Sequence, residues 1–128
     1  MATRSKAKAV QRAENKDRRP KAIAKYIRLS PSKVHVVLDL IRGHDYNEAV
    51  AILKTTSKAA CEPVLKCLNS AAANAEVNLG MNKETLYVAE CYADQGPTLK
   101  RMQPVSRGRG YRILKRTSHI TVILDERA

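Results

Sequence analysis

Three histidines, three cysteines and twelve carboxylates are the groups here that could cut a bond, transfer one or hold a metal. Their spacing argues against all three. His35, His44 and His119 are scattered, and no His, Cys or carboxylate set has metal-ligand spacing. Cys61 and Cys67 fall on one predicted helix, where six residues at 100° each turn them in different directions. Cys61 lies on the apolar stripe, where a cysteine behaves as a small hydrophobe. Asp39, Glu48, Glu62 and Glu76 fall on solvated helix faces or at caps, and no two carboxylates are paired for acid–base work. Gly108-Arg109-Gly110 opens no strand-to-helix junction and so is not a phosphate loop. No catalysis, metal or cofactor is expected. The groups left with chemistry are the cations.

The cations are densest in Gln95 to Arg116, which holds Lys100, Arg101, Arg107, Arg109, Arg112, Lys115 and Arg116 and no acid. Gly96, Pro97, Pro104, Gly108 and Gly110 keep this stretch from being a helix. Net charge is +12, and its placement matters more than its size. Residues 1–28 carry ten bases against two acids and residues 95–116 carry seven bases, whereas the stretches 29–94 and 117–128 are slightly acidic. Two cationic limbs on a near-neutral body are the footprint of a nucleic-acid binder. The first limb offers Arg4, Lys6, Lys8, Arg12, Arg18, Arg19, Lys21, Lys25 and Arg28, with Lys33 just beyond it. Base reading is not supported: the predicted second helix, NEAVAILK, has a single lysine, unlike a DNA recognition helix. The five aromatics, all Tyr, are too few for a single-strand stacking platform. What remains is phosphate contact, which positions a protein on folded RNA.

Positioning those cations requires a scaffold. Residues 1–20 show no apolar periodicity and end at Arg19-Pro20, which predicts a disordered basic arm. From 21 to 128 a single α+β domain is expected. Ala22 to Leu29 alternates as a short strand, with Ile23, Lys25 and Ile27 on one face and Ala24, Tyr26 and Arg28 on the other. Ser30-Pro31 opens a helix whose Val34, Val37, Leu38 and Ile41 repeat at i, i+3, i+4 and i+7 up to Gly43. Asp45 and Glu48 have the spacing of a capping box for a second helix through Thr55. A third is expected from Ser57 to Gly80, with Cys61, Val64, Leu65, Leu68, Ala72, Ala75 and Leu79 inward; Pro63 either delays its start or bends it. Strands at 86–93 and 119–124 then bracket the basic stretch as a hairpin of about 86–124, its tip about 99–111. The expected architecture is three helices packed on a small three-stranded antiparallel sheet with a long protruding β-hairpin.

Cysteine usage gives no disulfide framework, which suits a reducing compartment. No apolar run approaches a membrane span, and Glu14 and Asp17 argue against an Arg-rich transit peptide. The expected location is the cytoplasm, with no membrane partner.

The runs KYIRLSPSKV…DLIRG, EPVLKCLNSAAANAE, GPTLKR and RILKRTSHITVIL, spanning about 22–125 in this order, closely resemble the bacterial large-subunit ribosomal protein L-twenty-two family. The resemblance implies a structural constituent of the large subunit that binds ribosomal RNA and aids assembly among neighbouring large-subunit proteins. It also implies that the hairpin lines the nascent-peptide exit tunnel, through Leu99, Lys100, Arg101, Met102, Arg107, Gly108, Arg109, Gly110 and Tyr111. Two positions depart from the family pattern: Val105 stands where Arg is common, and Gly110-Tyr111 replaces a small residue followed by an acid. Residues 1–20 extend beyond the family motif. A non-ribosomal nucleic-acid binder with this fold is the alternative reading.

Overall fold

The apolar stripes become one core. The computed structural model describes residues 2–128; Met1, part of the expected arm, lies outside the described residues. Val34, Val37, Leu38 and Ile41 are all buried on α2 (Pro31–Ile41), as their spacing requires. α3 (Tyr46–Thr55) adds Ala49 and Leu53, and α4 (Cys61–Leu79) adds Val64, Leu68, Ala71, Ala72 and Ala75. Each fully buried Leu, Ile or Val contributes roughly 1.5–3 kcal/mol. α4 starts four residues after the predicted Ser57. Pro63 is its third residue, where the missing N–H has no intrahelical partner to lose, so it neither kinks nor breaks the helix. Leu79, expected inward, is 45% exposed because α4 has run past the sheet by its last turn.

The helices cover a three-stranded antiparallel sheet of β1 (Lys21–Ile27), β5 (Ser118–Glu126) and β2 (Leu86–Gln95), with β5 in the middle. Ile120, Val122 and Leu124 of β5 are fully buried. α4 lies across β1 and β5, and α2 across β2. The free edge of β2 is blunted by the α2–α3 turn: Gly43 N–H donates to Val88 O at 3.0 Å and Val88 N–H to His44 O at 2.9 Å. Asp45 and Ser30 precede their helices as predicted, yet neither side chain caps. Asp45 instead pairs with Arg127 at 3.1 Å, Glu48 turns to His44, and the Ser30 hydroxyl meets that of Ser32 at 2.8 Å.

The arm is not a disordered tail: Ala2–Glu14 forms a helix, α1, exposed along its length from Thr3. Its residues explain this, since Ala, Lys, Arg, Gln and Glu are good helix formers and no Gly or Pro interrupts them. The absence of an apolar stripe signals that α1 is exposed, not that it lacks a helix. The long hairpin is present and is built of two ladders. β3 (Leu99–Pro104) and β4 (Gly110–Lys115) form a separate two-stranded sheet beyond the β2–β5 pairing.

Candidate nucleic-acid interface

The break between the two ladders sets where the finger, residues 99–115, begins. Gly96 N–H donates to Thr117 O at 2.9 Å, and the Thr117 hydroxyl donates to Pro97 O at 2.6 Å. A Cβ at residue 96 would stand 2.5 Å from Thr117 Oγ1, so the crossing is closed to any side chain there. Beyond it the strands run in register from Leu99↔Lys115 to Pro104↔Gly110. Arg107 and Gly108 both have left-handed φ, +60° and +66°, and Arg109 N–H returns to Ser106 O, which makes a two-residue hairpin turn.

Pleating splits the finger's cations between its faces. Arg101 and Lys115 share one face with Leu99, Ile113 and Tyr111; Lys100 and Arg112 share the other with Met102 and Leu114. Arg107 and Arg109 sit at the tip. Neither face has a core: from 99 to 115 only Val105 and Ile113 are even half-buried. Gly110 lets the Met102 thioether fold over the strand, and Tyr111 is 63% exposed. A thin ribbon with bases and apolar groups on both sides is built to be surrounded. Among the described residues, no cation between 95 and 116 forms an ion pair with a carboxylate.

At the root of the finger, four predicted contacts converge. Arg28 and Lys33 from the β1–α2 corner face Lys115 and Arg116 across a groove of about 390 Å³, with Leu29, Ser30 and Leu114 completing it. The N-terminus of α2 opens into this groove through Ser30 and Lys33, so its dipole adds to the positive charge. On α1, Arg4, Lys8 and Arg12 recur every four residues and share a face, with Gln11 and Asn15 alongside, while Lys6 faces away. That i, i+4 spacing was the signal available in the sequence for a helical cation stripe. Lys21, Arg18 and the unpredicted Lys16 line a second groove against Asn74 and Asn78 of α4. Lys25 projects outward from β1.

Arg19, expected among the RNA-binding cations, is engaged within the chain. It pairs with Asp17 at 2.7 Å and with Glu90 of β2 at 2.8 Å, fastening the arm to the sheet. Side-chain hydrogen bonding to Arg19 draws the Asp17 carboxyl down to about 2, and the Arg19 guanidinium is held well above its ordinary range. The cysteines serve the core. Cys67 Sγ donates to Ala22 O and Cys91 Sγ to Leu38 O, each at 3.5 Å, and burial pushes both thiols up, away from the nucleophilic thiolate. Among the described residues no three His, Cys, Asp or Glu side chains gather as a metal site. No helix among them is long and apolar enough to cross a membrane.

The model of the family described as ribosomal protein L22p/L17e matches residues 22–125. The chain belongs to that family. It is 59% identical over 108 residues to a Clostridium novyi protein named large ribosomal subunit protein uL22, covering 84% of this chain and 97% of that one. Likeness to the proteins of the same name from Clostridium tetani and Desulfitobacterium hafniense is 61% and 57% over 107 residues, covering 84% of this chain and 96% and 94% of theirs. The matched span takes in the sheet but for Lys21 and Glu126 at its ends, α2 to α4 and the finger, and leaves out α1. The family is one of ribosomal structural proteins, not of enzymes.

Proposed function

We propose that this ribosomal protein of the large subunit binds large-subunit ribosomal RNA through α1, the groove at the root of the finger, and the finger itself. Bound there, it helps the subunit assemble beside its neighbouring large-subunit proteins, in the cytoplasm. We further propose that the finger forms part of the nascent-peptide exit tunnel wall, with Leu99 to Met102 and Arg107 to Tyr111 nearest the emerging peptide. The observation that carries this reading is the finger's charge without a partner: six cations from 99 to 115, on both faces and the tip, none paired to an acid among the described residues. Like charges on a ribbon that is marginal alone need a polyanion around them.

The test removes Leu99-Lys100-Arg101 and purifies the large subunits that carry the shortened protein. Because the finger's ladder is separate from the body's sheet, occupancy in the subunit should stay near that of the parent. Translation through a stalling peptide should change. A shortened protein that unfolds or never enters the subunit would show that the finger belongs to the fold; normal occupancy with unchanged stalling would remove it from the tunnel wall.

A further inference from the structure

β1 begins with Ala22 and Ala24 turned toward the helices, and strict alternation would send Tyr26 in behind them. It does not go there. The register slips between Ala24↔Ile120 and Ile27↔Ser118, so Lys25 and Tyr26 together oppose His119 in a β-bulge. Tyr26 takes φ +57°, its ring swings out to 64% exposure, and Ile27 packs against the core in its place. A glycine or asparagine would hold this left-handed position with far less strain. A bulky residue there is an outlier of the kind that clusters at ligand clamps.

Two contacts fix the ring. Tyr26 N–H donates to His119 Nδ1 at 3.0 Å, and the imidazole meets the phenol at 90° with centroids 4.9 Å apart. The surroundings are cationic: Lys25 precedes it, and Arg28, two residues on, leads into the groove of Lys33, Lys115 and Arg116. We propose that Tyr26 is a stacking site for one unpaired RNA base, whose flanking phosphates lie in that groove. An aromatic face beside phosphate-binding cations suits a nucleotide better than a protein side chain. The inference rests on the RNA-binding reading and adds a position where the RNA is opened and one base is held.

The chain has no tryptophan, so Tyr26→Trp places a single reporter at the site. Titrating that full-length variant with a transcript of large-subunit ribosomal RNA should quench the indole on binding. Tyr26→Gly should bind the same transcript roughly 5- to 150-fold more weakly. It should melt no lower than the parent and keep the parent's slope of log K against log salt, since no cation is lost. Tyr26→Phe should bind as the parent does. Parental affinity in Tyr26→Gly, or an indole that RNA leaves unchanged, overturns the stacking site. An indole that responds only when a neighbouring large-subunit protein joins the complex overturns it too, assigning the ring to a protein contact. If the parent itself shows no salt-dependent binding, the RNA reading falls and takes this site with it.

Discussion

Ala72 and Arg109 mark the two kinds of residue in this chain. Ala72 is fully buried on α4, where the small side chain lets the helix approach the sheet, whereas Arg109 stands at the finger tip with nothing beneath it. Ala72→Leu should therefore destabilise the free protein by roughly 1–3 kcal/mol. Arg109→Ala should leave its thermal melt unchanged, and equal losses for the two would mean that the finger shares the core. The division was legible in the sequence for Ala72, because apolar periodicity marks what must be hidden. It was not legible for Arg19. A charge drawn into an ion pair with Glu90, 71 positions away, leaves no local trace in composition. Tyr26 was hidden for the same reason, since alternation predicts its face and only the bulge reverses it.

Among the elements, α2, α3, α4 and the body strands carry the signals that sequence reading uses best: a 3.6-residue or two-residue apolar repeat with a stop at each end. α1 and the finger carry none, because each is exposed all round and folds without a stripe. The segment that joins α1 to β1 offers a sharper check. The Asp17 carboxyl is lowered from 3.8 to about 2, chiefly by side-chain hydrogen bonding to Arg19. A carboxylate with a depressed folded value contributes stability above its unfolded value and loses it as the pH falls through the folded one. The Asp17–Arg19 clamp should thus be whole above pH about 4 and released toward pH 2. Following the Asp17 carboxyl by NMR should give a midpoint about 2 in the parent and an ordinary value in Arg19→Ala. A parental midpoint near 3.8 would mean that the clamp does not form in solution.

For the whole molecule, the positive excess behind the +12 net charge sits in residues 1–28 and 95–116, while the remaining stretches are slightly acidic. Binding to RNA should therefore weaken steeply with salt, each lost phosphate contact flattening the plot of log K against log salt by about 0.7–0.9 units. Deleting residues 1–15 removes Arg4, Lys6, Lys8 and Arg12 while leaving the Arg19 clamp. The truncated protein should melt with the parent but show a shallower slope, by up to about 3 units. An unchanged slope would make α1 a bystander. The family match begins at residue 22, so this limb lies outside the span that the family model matches.

The central strand of the sheet is also the last to be made. β1 pairs with β5 from Lys21↔Ile123 onward, and β2 finds its partner there as well, so every strand of the body waits on residues 118–126. During its own synthesis the chain can wind its helices but cannot close its sheet until β5, the last of the sheet's strands in chain order, has been made. Until then a polycation with an uncovered apolar face emerges among messenger and ribosomal RNA, and the interval before β5 arrives is the period in which it needs protection.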